Sequence, residues 1–181
     1  MWASMLMEVF TILLLLVLPL GRATQLSDVP ERFQGLISNG IKEFYSSLSD
    51  EERTIVDRVD ANNTEPTYAA GYRLHSKELG DRADEYLNKE ALRILQLDAA
   101  ARNFYLNVLQ IPDRVKTIEE AERKLVAQRL VHEFDKLPEE SRGKLEQQFA
   151  EVVQTLTSAD FRHFAGVSVE AKEEDVEKSE D

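Results

Sequence analysis

The sequence of 181 residues contains no cysteine. Disulfide bonds, thiol catalysis and zinc sites with cysteine ligands are therefore excluded. Glycine and proline are also scarce, with seven and five residues, which argues against a turn-rich all-β fold. Basic residues are too few to balance the acidic ones, and a net charge of −12 argues against binding nucleic acid through its phosphates. Apolar residues make up 43% of the chain, enough to build the core of one domain.

Residues 1–23 have the pattern of a signal peptide. An apolar run from Val9 to Leu20 is followed by Gly21 and Ala23, small residues that fit the −3 and −1 positions of signal-peptidase cleavage. The run is shorter than the roughly 20 residues that span a bilayer, so a retained membrane anchor is the less favoured alternative. We expect a secreted, extracellular protein with no stable membrane insertion after cleavage. Its mature form would contain no Trp, Met or Cys.

The stretch from Val29 to Val59 predicts three short amphipathic helices with an aromatic inner side. The turn-forming sequence Ser38-Asn39-Gly40 is expected to end the first helix. Ser49 and Glu52 have the spacing of a capping box, in which each side chain bonds the other residue's backbone N–H at a helix start. The apolar residues recur at three- and four-residue spacing, as on one buried helical face: Phe33, Leu36, Ile37, Ile41, Phe44, Tyr45 and Leu48.

The rest of the chain also has helical spacing. A helix is expected from Tyr68 to about Leu97, interrupted near Gly71 and Gly80. The next begins after an Asp98 N-cap and is stopped by Pro112. Thr117 and Glu120 form a second capping-box pattern. The longer helix that follows has the predicted apolar stripe Ala121, Leu125, Leu130, Phe134 and Leu137.

The last part of the domain predicts two more helices and a tail. Pro138 fits the first turn of a helix whose stripe includes Phe149 and Val152, and Ser158 is a candidate N-cap for a short final helix. The sequence EAKEEDVEKSED at the C-terminus has seven acids against two lysines, a composition typical of disorder. We therefore assign 1–23 to a signal peptide, 24–166 to a helical domain and 167–181 to an acidic disordered tail. The predicted fold class is all-α.

No pattern of catalytic or metal-binding residues stands out. His75, His132 and His163 are far apart in the sequence. His132-Glu133 begins like a zinc-protease motif, but Lys136 occupies the position of the second histidine. There is no G-x-S-x-G motif, phosphate-binding loop or dinucleotide fingerprint. We expect no enzymatic activity, no metal and no cofactor.

Aromatic residues are spread over the predicted inner face of nearly every helix. An ordinary solid core explains them, and so does a core that opens around an apolar ligand. Arg93, Arg102 and Arg129 are candidate anchors for a ligand carboxylate, because a guanidinium can bind one in bidentate fashion. The same arginines can equally be surface residues, and spacing alone does not choose among them.

Three segments resemble the nematode fatty-acid- and retinol-binding proteins. The segments are IKEFYSSLSDEER from Ile41, DAAARNF from Asp98, and the block EAERKLVAQRLVHEFDKLPEESRGKLEQQFAEVV from Glu120. The resemblance covers about 29–164, and it departs from the family pattern at Ser38-Asn39-Gly40 and in the long acidic tail. It implies a wedge-like domain of many short helices around an internal apolar cavity. It also implies long-chain fatty acids and retinol as ligands.

The resemblance turns the inner-face residues into candidate cavity-lining residues. They are Phe33, Ile41, Phe44, Tyr45, Ile55, Tyr86, Ile94, Phe104, Tyr105, Val108, Leu130, Phe134, Phe149 and Val152. Family members often carry a phosphorylation site in the opening helices, and Ser49-Asp50-Glu51-Glu52 fits its consensus, although Ser49 is equally a helix N-cap. Asn62-Asn63-Thr64 is an N-glycosylation acceptor if the chain is secreted.

The signal-peptide pattern and the family resemblance together predict a secreted carrier of fatty acids and retinol. The resemblance also implies a role in nutrient lipid uptake or in the modulation of host lipid signalling. The alternative is a secreted helical module that binds other proteins through its acidic surface. Such a module would have a solid core and no ligand. The oligomeric state is left open by the sequence.

Overall fold

The computed structural model describes residues 26–62 and 64–167, and every regular element within these ranges is helical. A short 3-10 helix, Leu26–Asp28, precedes the α-helices. In chain order these are α1 Glu31–Gln34, α2 Asn39–Ser46, α3 Asp50–Asn62, α4 Tyr68–Arg73, α5 Lys77–Leu95, α6 Ala99–Val108, α7 Ile111–Lys116, α8 Glu120–Asp135, α9 Glu139–Gln148, α10 Ala150–Thr157 and α11 Ala159–Phe164. The predicted all-α fold is confirmed.

Two apolar clusters form the core. The main cluster is built from α1, α2, the C-terminal half of α5 and helices α6 to α11. The second, smaller cluster joins α3, α4 and the N-terminal half of α5, with Val56, Tyr72 and Leu79 among its buried residues. Tyr45 on α2 packs against both clusters and is a bridge between them.

Helices α4 and α5, which are joined by the turn at 74–76, approach each other closely at Gly80. A Cβ atom at Gly80 would lie 2.6 Å from the Cβ of Arg73 and 2.9 Å from the carbonyl oxygen of Ala69. Because these atoms belong to a packed helix, only glycine lets α4 and α5 come this near.

Side-chain caps define many of the helix starts. Ser49 and Glu52 form the predicted capping box, with reciprocal bonds of 2.9 and 3.2 Å between side chains and backbone N–H groups. Asp98 accepts from the N–H of Ala101, and Ser158 accepts from that of Phe161, as expected. Ser38, Thr67 and Ser76 cap α2, α4 and α5 in the same way.

Several expected helix boundaries are wrong. The first helix ends at Gln34, and Ser38 caps the second, whose first turn contains Asn39 and Gly40. The chain breaks at 74–76 rather than at Gly71 or Gly80, which both lie inside helices. Gly71 and Gly80 are buried, and at Gly80 the missing side chain serves the close packing of α4 against α5.

Two prolines and a threonine also act differently from the prediction. Pro112 lies in the first turn of α7 and does not end α6, which stops at Val108. Pro138 is the N-cap of α9, one position earlier than expected. The N-cap of α8 is Glu119, and the hydroxyl of Thr117 bonds back to the carbonyl of Arg114 instead of forming a capping box.

The apolar stripe of α8 is also rotated from its predicted position. Leu125 is 63% exposed, and Ala121 is exposed as well. Val126, Ala127 and Val131 take their place in the core beside Leu130 and Phe134.

The predicted signal peptide lies outside the described residues, as does the predicted acidic tail apart from Val167. Val167 packs against the main cluster. In the described part of the chain, no helix has both the length and the apolar character needed to cross a membrane.

Candidate functional site

A groove lies between α2 and the middle of α5. Its volume is about 490 Å³, within the range of roughly 300–1,000 Å³ typical of small-molecule sites. Phe44 from α2 and Tyr86 from α5 form its apolar wall, with their rings stacked at a centroid distance of 5.6 Å and an angle of 21°. The remaining lining residues are mostly charged or small: Asn39, Gly40, Glu43, Ser47, Arg82, Glu85, Lys89, Glu90 and Arg93.

Gly40 brings the start of α2 directly onto α5. A Cβ atom at this position would lie 3.1 Å from the ring of Tyr86 and 3.6 Å from Oε2 of Glu90. A larger residue would therefore fill the space between the stacked rings and Glu90.

Glu90 is the buried polar group of this region, and it is only 2% exposed. Its Oε1 accepts a hydrogen bond of 2.9 Å from the hydroxyl of Tyr105. Its Oε2 accepts one of 3.0 Å from Nη1 of Arg93. Burial, followed by the charge of Glu90, raises the pKa of the Tyr105 hydroxyl well above its usual value, so this hydroxyl remains a donor.

Arg93 connects the groove with the main cluster. Its guanidinium lies over the ring of Phe149, 4.3 Å from the centroid. It also donates to the backbone carbonyl of Gln148 and lies 3.9 Å from the carboxylate of Glu151. The ring of Phe149 is in turn stacked on Tyr105 at 3.7 Å. The Glu90–Arg93 pair is therefore held against the aromatic core in two ways: Glu90 accepts from Tyr105, and Arg93 packs on Phe149.

The three candidate anchors occupy different environments. Arg93 lines the groove and is already paired with Glu90. Arg102 donates to the carbonyls of Leu95 and Leu97 and so helps to end α5. Arg129 is exposed on α8. Of the three, only Arg93 lies beside the groove.

Most of the candidate cavity-lining residues lie in the packed interior. The fully buried members, all in the main cluster, are Phe33, Ile41, Ile94, Phe104, Tyr105, Val108, Leu130, Phe134, Phe149 and Val152. Four others are partly buried: Phe44, Tyr45, Ile55 and Tyr86. Only Phe44 and Tyr86 line the groove described above.

Two further depressions open on other faces. One of about 250 Å³ is lined by Tyr45, Leu48 and Val56, on the side of the second cluster. The other, of about 610 Å³, lies near Gly35 and Phe161 and has a mainly polar and charged lining. The depression of 250 Å³ is lined by Tyr45, which bridges the two clusters. The depression of 610 Å³ has no continuous apolar wall among the described residues.

A second buried acid, Asp60, lies at the end of α3. It is 7% exposed, and its Oδ1 accepts a hydrogen bond of 2.6 Å from the hydroxyl of Tyr72. Its Oδ2 is buried and has no hydrogen-bond partner in the described ranges. Burial is the main reason why the pKa of Asp60 rises to about 7; Asp57 and Asp113 add to the rise, while Tyr72 and Lys116 oppose it.

Neither buried acid was predicted, although the sequence contains a signal for both. Glu90 follows Tyr86 by four residues and precedes Ile94 by four, so it has the spacing of the apolar stripe of α5. Asp60 follows Val56 by four residues in the same manner. A charged residue on a buried stripe is a candidate for a paired interior group.

The remaining site predictions fall on exposed positions. Ser49 and Asn62 are exposed, so both are accessible for modification. All three histidines are exposed: His75 lies in the turn at 74–76, His132 on α8 and His163 on α11. Among the described residues, no group of three or more His, Asp or Glu side chains is arranged to hold a metal ion.

Comparison with known protein families gives one assignment. The sequence model of the nematode fatty acid retinoid binding protein (Gp-FAR-1) family matches residues 31–167. Comparisons with curated proteins and with solved structures found no significant match. The family match runs from α1 through α11 and covers both apolar clusters. The chain therefore belongs to the nematode fatty acid retinoid binding protein family.

Proposed function

We propose that the protein is a secreted, non-enzymatic carrier of long-chain fatty acids and retinol. The observation that carries the proposal is the family match across 31–167, because the family's name states fatty acids and retinoids, the broader classes to which these two ligands belong. Secretion is supported by the leader-like pattern of residues 1–23. Roles in nutrient lipid uptake or in modulating host lipid signalling follow from the same proposal.

The groove between α2 and α5 is the proposed mouth of the lipid site. Its stacked Phe44 and Tyr86 rings offer an apolar wall, and Arg93, which is paired with Glu90, belongs to the same lining. A lipid is an elongated apolar chain with one polar end. The charged lining of the groove suits the polar end alone, because the tail needs a mostly apolar site. In this arrangement the polar end of the lipid stays near Arg93.

The apolar tail of the lipid is proposed to pass between the two clusters. Tyr45 packs against both of them and is only partly buried, so its displacement would open a path from the groove side to the interior. Each CH₂ group that leaves water stabilises the complex by about 0.8 kcal/mol. This gain would drive the separation of side chains that pack closely without ligand, and the cost of that separation opposes it.

The alternative function, a ligand-free interaction module, is favoured by a specific observation. Rings in the main cluster are closely packed, as in the stack of Tyr105 on Phe149 at 3.7 Å. If the core never opens, the protein would act only by binding other proteins through its acidic surface, consistent with the net charge of −12. This alternative predicts no lipid binding at any concentration below that of lipid aggregation.

The two functions are separated by an environment-sensitive fluorescent fatty acid. Added to purified protein spanning residues 24–181, the probe is expected to shift its emission to the blue as it leaves water. Oleate and retinol should each reverse the shift by competition. The only tryptophan, Trp2, precedes this span, so its emission does not interfere. Absence of a shift would support the interaction module.

A further inference from the structure

Each cation that lines the groove already has an acidic partner. The pairs are Arg82 with Glu52 at 2.9 Å, Lys89 with Glu85 at 2.7 Å, and Arg93 with Glu90 at 3.0 Å. The groove therefore offers no surplus positive charge to an incoming anion. At each of these three cations, a ligand carboxylate would have to compete with a carboxylate of the protein.

The pairs differ in how readily they open. Lys89 and Glu85 are 70% and 66% exposed, so water can replace either partner at little cost. Glu90 is 2% exposed and is held by Tyr105 as well as by Arg93. Breaking a buried pair leaves an uncompensated charge, which is strongly unfavourable. Glu90 is therefore the fixed anion of the groove.

The charge of Glu90 affects the binding of a lipid acid and of a lipid alcohol differently. A lipid carboxylate beside Arg93 would face Glu90 and also Glu151, which lies 3.9 Å from the guanidinium. Like charges this close disfavour each other's ionised form. An alcohol hydroxyl carries no charge, and it can donate to a carboxylate or accept from a guanidinium. The geometry thus penalises an acid and tolerates an alcohol.

We propose that Glu90 is a specificity-determining residue that makes the groove prefer a lipid with a neutral alcohol end over one with a carboxylate. The inference rests on the proposed function, since it requires that the polar end of the lipid lies at Arg93. Gly40 lies directly over this carboxylate, since a Cβ atom at its position would be in van der Waals contact with Oε2 of Glu90 at 3.6 Å. The preference is thus built into the contact between α2 and α5.

The test uses two lipids with the same tail, oleyl alcohol and oleate. Each displaces retinol from the purified protein, and retinol's own fluorescence reports the displacement. The measured quantity is the ratio of the two inhibition constants, which cancels the contribution of the tail. Glu90→Gln keeps the size of the side chain and removes its charge. It is expected to shift the ratio about tenfold towards oleate, as loss of one charge repulsion of ordinary strength would do.

Glu78→Gln is the matched control, because Glu78 lies on the same helix as Glu90, is exposed and does not line the groove. It makes the same change in net charge and should leave the ratio within about twofold of wild type. An unchanged ratio in Glu90→Gln, or an equal shift in Glu78→Gln, would overturn the inference. So would a wild-type protein that binds oleate more tightly than oleyl alcohol, a result that does not depend on any variant folding. If retinol does not bind the wild type at all, the proposed function fails first and the inference falls with it.

Discussion

The hydroxyl of Tyr72 donates a hydrogen bond of 2.6 Å to the buried carboxylate of Asp60, across the contact between α4 and α3. The second oxygen of Asp60 lies in the same buried environment without a hydrogen-bond partner in the described residues. A carboxylate in such surroundings is costly when ionised. The bond therefore joins two helices of the second cluster through a group whose charge depends on pH.

The stability of the protein is expected to depend on Asp60. Its pKa is about 7 in the folded state and near the ordinary value of 3.8 in the unfolded chain. Below pH 4 both states hold the proton; between pH 4 and 7 only the folded state does, so the contribution of this group to stability falls as pH rises. Asp60→Asn should remove this dependence and stabilise the protein at pH 8 by at most about 4 kcal/mol.

Urea unfolding at pH 5 and pH 8 checks the prediction. The wild type should lose more stability between these values than Asp60→Asn does. Glu51→Gln is the control, because Glu51 is an exposed acid in the first turn of the same helix. An equal pH dependence in wild type and Asp60→Asn would show that Asp60 does not hold its proton.

Gly80 and Gly143 should respond in opposite ways to alanine. The Cβ atom of Gly80→Ala would meet backbone and Cβ atoms of α4 at 2.6 to 2.9 Å, so the two helices must separate. We expect a loss of about 2–3 kcal/mol. Gly143 lies inside α9, and beyond its own helix backbone and chain neighbours no atom of the described residues lies within 4 Å of its Cβ position. Gly143→Ala should stabilise the protein by about 0.5–1 kcal/mol, since alanine favours the helix.

Thermal unfolding of both glycine variants measures the two effects under one condition. A destabilised Gly143→Ala would mean that α9 has neighbours that the described contacts do not include. A neutral Gly80→Ala would contradict the close approach of α4 and α5.

Ser49→Ala is expected to cost about 1 kcal/mol, because the N–H of Glu52 loses its cap. Thr117→Ala is the matched control. Thr117 has the same sequence pattern but makes no cap, so its replacement should change stability by less than about 0.5 kcal/mol. Guanidinium chloride unfolding of the two variants compares them directly; equal losses would disprove the assigned cap.

Removal of an aromatic wall should weaken lipid binding. Phe44→Ala deletes one of the two stacked rings of the groove, and we expect about a tenfold or greater loss of affinity for a fluorescent fatty acid. Leu92→Ala is the control, since Leu92 lies on the same helix as Tyr86, is 60% exposed and does not line the groove. Equal affinities of the two variants would exclude the groove as the site of binding.

Local signals in the sequence predicted the parts of the fold that local interactions control. The capping box at Ser49 and the N-caps at Asp98 and Ser158 were read correctly, because each involves residues only three positions apart. The break between α9 and α10 at Phe149 was missed. Phe149 leaves helical geometry, with φ −140° and ψ 57°, and its ring is fully buried against Tyr105. That contact joins residues far apart in the sequence, so no local pattern could indicate it.

In the candidate site too, features set by local spacing were predicted and those set by contacts between distant parts of the chain were not. The aromatic residues of α2 and α5 were predicted on an inner face, and Phe44 and Tyr86 do meet there. The partner of Arg93 was not predicted, since Glu90 was not among the candidate site residues. On α8, apolar residues occur on two faces, and spacing could not show that Leu125 is outside and Val126 inside. Packing against α10 and α11 decides that orientation.

Native mass spectrometry of delipidated protein tests most directly whether this chain binds lipid in its interior. After addition of oleate or retinol, the protein ions are expected to gain the mass of one ligand, and the Phe44→Ala variant should lose it at lower collision energy. Protein ions that stay at the mass of the bare chain at saturating ligand, with wild type and variant alike, would contradict the account.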